Sequence, residues 1–160
     1  MLGPEHPDTL TIMGNLAVTY ANQGKYEEAE ELELKVLDLS RKVLELEHPH
    51  ISTRMANLAG IYSSQAKYEE AEELELMVLD LHEKVLGPEH PQTLISIANL
   101  ARTYSDEGKC QEAETLHLKV LDLSKKALGL EHPRTLTRIS NLATIYMIQG
   151  KHKEAEKLQI

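Results

Sequence analysis

The apolar positions fall into two alternating helical patterns. In "TIMGNLAVTY" (11–20), Met13, Leu16, Ala17 and Tyr20 follow i, i+3, i+4, i+7 spacing and line one face of an α-helix. Pro7 can occupy the first turn of this helix, where its missing N–H costs nothing, and Gly24 stops it. A second pattern starts near Lys25 or Tyr26, with Ala29, Leu32, Val36, Leu39 and Val43 along one face and the apolar run reaching Leu44. It predicts a helix of about 20 residues, about 30 Å long. The segment "LELEHP" (44–49) then breaks the helix, as the extended preference of a residue before proline requires.

Both patterns recur. "NLAVTY" (15–20), "NLAGIY" (57–62), "NLARTY" (99–104) and "NLATIY" (141–146) stand 42 residues apart. "EHP" begins at Glu5, Glu47, Glu89 and Glu131, and no residue is inserted or lost between copies. Gly108 and Gly150 repeat the stop of Gly24, whereas the second copy has Ala66, which is strained if the position needs φ > 0. "KYEEAEELELKVLDL" (25–39) and "KYEEAEELELMVLDL" (67–81) differ only at Lys35 and Met77, the mark of a recent duplication or of a regularised, even designed, sequence. The organisation expected is a single array over 1–160, with repeats at about 6–47, 48–89, 90–131 and an incomplete 132–160. One helix pair cannot bury both of its apolar faces. Stacked neighbours bury them, giving an all-α solenoid with a concave and a convex side.

Composition changes this picture little. Among 160 residues the only aromatics are six tyrosines, so the core must be aliphatic, which suits closely packed helices. The net charge of −9 comes with no Lys/Arg cluster, which argues against nucleic acid as a partner. Cys110 is the only cysteine, so no disulfide framework forms within the chain, and a reducing, cytoplasmic setting is expected. No apolar stretch approaches the roughly 20 residues of a membrane span, and no signal-peptide pattern opens the chain, so no membrane partner is expected.

Aligned together, Met13, Leu16, Ala17, Tyr20, Gly24, Tyr26 and Ala29 reproduce tetratricopeptide spacing, and the chain resembles that family over essentially its whole length. The usual unit has 34 residues. The longer unit here, with "NLA..Y" and "HP", resembles the kinesin light chain type and the long arrays of fungal and bacterial multidomain proteins. The resemblance implies a right-handed superhelical solenoid of antiparallel helix pairs that binds a peptide or partner protein in its concave groove, without catalysis or cofactor.

On a helical wheel of 100° per residue, Asn15 lies at about 200° from Met13, bordering the wall formed by Thr11, Gly14, Val18 and Ala21. A carboxamide can hold an extended peptide by its backbone whatever the peptide's side chains. By resemblance, Asn15, Asn57, Asn99 and Asn141 are candidate peptide contacts. The alternative is that the repeated asparagine serves the repeat's own architecture. Asn22, Ser64, Arg102 and Asp106 are the neighbouring wall positions most able to read a ligand, and only Arg102 and Asp106 of that wall are charged. Most wall positions are small, so peptide backbone and apolar contacts should dominate.

Other recurrent residues point elsewhere. His6, His48, His90 and His132 occur once per repeat, about 10 Å apart by helix-packing distances. Zinc ligands sit about 2 Å from the metal, so these histidines cannot share an ion and are expected at helix starts. Glu27, Glu28, Glu30 and Glu31 are expected on a solvated face. No nucleophile elbow, phosphate loop or paired-carboxylate motif is present, so no catalytic or metal site is expected. Leu34, Leu76 and Leu118 lie about 170° from the second helix's apolar stripe and form a candidate convex contact row. The chain begins "MLGPEHP" and stops at "EAEKLQI" without a polar capping helix, which suggests an excised fragment able to self-associate through its ends. A self-assembling array with no dedicated ligand is therefore the alternative to a binding scaffold.

Overall fold

The computed structural model describes residue 3 and residues 5–158. Sequence expectations that fall on residues 1, 2, 4, 159 and 160, including the outermost ends of the repeat array, lie outside the described residues. Among the described residues the chain forms α1 (Pro7–Asn22), α2 (Tyr26–Val43), α3 (Pro49–Ser64), α4 (Tyr68–Val85), α5 (Pro91–Glu107), α6 (Cys110–Leu128), α7 (Pro133–Ile148) and α8 (His152–Lys157), with no strand.

The repeated "HP" explains each odd-numbered helix start. Proline occupies the first turn, and the preceding histidine caps it. Nδ1 of His6, His48, His90 and His132 accepts from the backbone N–H of Asp8, His50, Gln92 and Arg134 at 3.2, 3.1, 3.2 and 3.1 Å. That supplies one of the four N–H groups a helix start leaves unsatisfied. The ends are equally local. Gly24, Gly108 and Gly150 have φ of 74°, 88° and 72°. Ala66 adopts the same left-handed backbone at φ 58°, so the strain expected from the sequence is present.

The following lysine closes the turn. Its N–H donates to the carbonyl of Tyr20, Tyr62, Tyr104 or Tyr146 at 2.8–3.0 Å, the bond that satisfies a late helix carbonyl in a Schellman-type stop. Its Nζ sits 5.3–5.6 Å from the centre of the same tyrosine's ring.

The chain divides into two compact units, Met1–Leu81 and His82–Ile160, with the division inside α4. In the first, Leu37 of α2, Ile51, Met55 and Leu58 of α3 and Val78 of α4 form the core, with Leu44, Tyr62 and Leu74 packed against it. In the second, Leu121, Leu142, Tyr146 and Ala155 play that part, joined by Ile139 and Leu158. Ala17 and Ala29, both 0% exposed, let α1 and α2 approach closely.

Packing corrects two expected stripes. In α2 the buried face is Ala29, Glu33, Val36, Leu37 and Ser40, and Val43 is exposed. In α1 the buried residues are Leu10, Gly14 and Ala17, and Leu16 is 42% exposed. The residues matching Leu16 in later copies, Leu58, Leu100 and Leu142, are at most 2% exposed. Leu58 clusters with Leu37 of the preceding repeat's second helix.

Candidate functional site

Some of the candidate wall residues of the first unit meet in one place. A groove of about 470 Å³ is lined by Val18, Ala21 and Asn22 of α1, Tyr26 and Glu33 of α2, and Ala56, Asn57, Gly60, Ile61 and Ser64 of α3. Three residues singled out from the sequence, Asn22, Asn57 and Ser64, therefore share it. They come together because α1 and α3, equivalent helices of two successive repeats, turn the same face toward the groove. The Ser64 hydroxyl is spent on its own helix, donating to Gly60 O at 2.9 Å. Asn15 is exposed on α1 outside this lining. Asn99 is half-buried and Arg102 and Asp106 are exposed on α5, and Asn141 is exposed on α7, all in the second unit.

The groove floor holds a charge that sequence reasoning missed. Glu33 is 0% exposed, and its carboxylate oxygens lie 3.3 and 3.4 Å from Nη1 of Arg54, itself 7% exposed. Asn57 also hydrogen-bonds the Glu33 side chain. Burial outweighs both partners and pushes the Glu33 carboxyl up to about 7. Gly14 belongs to the same cluster: a methyl at its Cα would overlap Nη1 of Arg54. Gly14 is thus a packing position, correcting its placement on the wall. The available signal was spacing, since Glu33 falls four residues after Ala29 and four before Leu37, in line with the buried stripe.

The repeated asparagine consequently has an architectural partner in at least one copy. Asn57 gives part of its hydrogen-bonding capacity to Glu33, and a carboxamide retains further donor and acceptor capacity.

One of the glutamates expected on a solvated face is also engaged. Glu27, Glu28 and Glu31 are exposed, but Glu30 is half-buried and accepts from Lys67 Nζ at 2.8 Å. Glu114 and Lys151 repeat the bond at 2.6 Å in the second unit. Hydrogen bonding to Lys151 holds Glu114 below the usual carboxylate range. Each such lysine joins three repeat features: a helix stop, a tyrosine ring and the preceding repeat's second helix. Leu34, Leu76 and Leu118 are 43%, 45% and 45% exposed, as their position opposite the apolar stripe implies.

Among the described residues, no group of three or more His, Cys, Asp or Glu could hold a metal ion. Among the same described residues, no helix is long and apolar enough to cross a membrane.

Comparison with known proteins follows the repeat. Residues 51–124 and 97–159 match one family model described as a tetratricopeptide repeat, and residues 9–50 match a second of the same description. A Podosopora anserina protein described as a kinesin light chain with nearly identical TPR-like repeats is 36% identical. It superposes with a TM-score of 0.85, over 99% of this chain and 75% of that one, and a substituted form scores 0.86. BtubC (BKLC) from P. vanneervenii has a TM-score of 0.85 at 24% identity, over 96% of this chain and 61% of its own. A Rap protein complexed with competence and sporulation factor has a TM-score of 0.81 at 14% identity, over 99% of this chain and 42% of its own. The last two are likenesses of fold alone. No curated protein sequence matches the chain.

Proposed function

Because the chain belongs to the tetratricopeptide repeat family, we propose that it is a non-catalytic interaction scaffold holding an extended peptide, or an extended segment of a partner protein, against the face that α1 and α3 present in its first unit. The observation carrying this reading is the 470 Å³ groove of the first unit. Its lining is small where a ligand must enter, at Ala21, Ala56 and Gly60. It is polar where a backbone amide needs partners, at Asn22 and Asn57. Asn15, Asn99 and Asn141 extend the same role to the other copies, with Arg102 and Asp106 adding charge selectivity in the third.

Gly60 supplies the test. A Cβ there meets nothing within 4 Å, so Gly60→Arg starts a long side chain into the groove from a position with room for its first carbon. The change also removes a mid-helix glycine, worth about 0.8–1 kcal/mol in the helix's favour. Peptides selected from a display library on the unaltered chain should lose binding to Gly60→Arg and bind Asn57→Ala more weakly. Undiminished binding to Gly60→Arg would place the ligand elsewhere and end this reading.

A second reading has its own observation. The exposed leucines Leu34 and Leu76 of the first unit and Leu118 of the second favour a self-assembling array whose contacts are with other copies of the chain. Light scattering over a wide concentration range separates the two. A mass that grows with concentration, and is reset by Leu34→Glu with Leu76→Glu, supports assembly; a constant monomer removes it.

A further inference from the structure

Two exposed positions in the second helix of each repeat change charge along the chain while the repeat stays in register. In the first unit, Glu27, Glu31 and Leu34 of α2 follow i, i+4, i+7 spacing and share one helix face. Glu69, Glu73 and Leu76 of α4 repeat it. All six are exposed, Leu34 at 43% and Leu76 at 45%, and Met77 beside Leu76 is exposed as well. In the second unit the two acidic positions become Gln111 and Thr115 in α6, then Lys153 and Lys157 in α8, again all exposed. The same two positions therefore read acidic, acidic, neutral and basic in successive repeats.

Nothing within the chain accounts for the reversal. None of Glu27, Glu31, Glu69, Glu73, Lys153 and Lys157 takes part in an ion pair among the described residues. The helix dipole favours an acid in the first turn, at Glu27 and Glu69, but it fades before Glu31 and Glu73 and opposes a cation at Lys153 in the first turn of α8. The imbalance extends to the whole units. Met1–Leu81 carries 6 Lys and Arg against 16 Asp and Glu, whereas His82–Ile160 carries 11 against 10. The first unit thus repels its own kind and attracts a cationic surface. Pairs between exposed charges contribute little free energy by themselves, so the charges choose the partner and its orientation, and the leucines supply the apolar area to be buried.

We propose that the Glu–Glu–Leu faces of α2 and α4 in the first unit are a docking surface for α8 of a second copy of the chain. Lys153 and Lys157 of that copy pair with the glutamates, and their aliphatic stems lie over Leu34 and Leu76. The contact rests on the self-assembly reading and deepens it: unlike parts of two copies meet, and α2 does not face α2, where like charges oppose each other.

Sedimentation equilibrium tests the contact by salt and by charge reversal. Raising salt from about 0.05 to 0.5 M shortens the screening length about three-fold and should weaken association about ten-fold or more. Lys153→Glu with Lys157→Glu should be monomeric where the unaltered chain associates. So should Glu27→Lys, Glu31→Lys, Glu69→Lys and Glu73→Lys combined. Mixed together, the two variants should associate again, because each offers the charge that the other lacks, and recovery on mixing shows that both fold. If the four lysines disrupt their helices, Glu27→Gln, Glu31→Gln, Glu69→Gln and Glu73→Gln replace them, with weaker association and a flatter salt response expected. The contact is overturned if association is insensitive to salt, if Lys153→Glu with Lys157→Glu associates like the unaltered chain, or if the folded variants stay apart when mixed. Assembly that persists through those results ends this contact alone and leaves the self-assembly reading standing. A chain that is monomeric at every concentration ends both. An amphipathic Leu–Lys helix that still binds such a monomer, and does not bind the four-lysine variant, reassigns the face to a basic partner.

Discussion

The Glu33 carboxyl offers the most quantitative test of how the first unit is built. The group is 0% exposed, with Arg54 Nη1 at 3.3 Å, and burial raises it from 4.5 to about 7. A carboxyl raised in the folded state binds its proton more tightly there than in the unfolded chain. Its stabilising contribution is therefore complete below pH 4.5 and is lost as pH climbs to about 7. The displacement corresponds to about 3 kcal/mol across that window. Urea unfolding of the chain and of Glu33→Gln, compared at matched pH, isolates this group, because other titrations largely cancel. Relative to the unaltered chain, the Gln variant should gain about 3 kcal/mol between the acid and alkaline sides of the window. The carboxyl carbon resonance of Glu33 should titrate near 7. A midpoint below 4.5, with the Gln variant losing ground as pH rises, would show that Arg54 and Asn57 outweigh desolvation and would refute the reasoning.

Three further outcomes are expected. Ala66→Gly should stabilise the first unit by about 1 kcal/mol in urea unfolding, since φ of 58° costs an L-residue more than glycine's extra unfolded-state freedom. Gly14→Ala should destabilise it by about 1–3 kcal/mol by driving a methyl into Arg54, and Arg54→Met should relieve much of that loss in the double variant. His90→Ala should cost about 1 kcal/mol by removing the acceptor for Gln92 N–H, with His90→Asn restoring it, as thermal unfolding would show.

Helix starts, helix stops and repeat length were legible in the residues because each is decided within a few bonds. The "HP" pair supplies a cap and a preset φ, and the residue before each repeated lysine must turn left-handed whether it is Gly24 or Ala66. The same periodicity placed Asn22, Asn57 and Ser64 on one face, and the groove that gathers them follows from repetition alone.

Which face is buried, and with what partner, was decided only when helices packed. Val43 and Leu16 belong to apolar stripes yet face solvent, because burial depends on a neighbour that the local pattern does not contain. Glu33 stands among the acids of "EAEELEL", yet it is enclosed, because Arg54, 21 residues later, arrives on the adjacent helix through the space at Gly14. The position matching Glu33 84 residues later is His117, 3% exposed, whose imidazole burial and then the charge of Arg138 hold below its usual pKa. A charge acquires its energy from what lies within a few ångströms of it, and in a stacked repeat that distance is set across helices rather than along the chain.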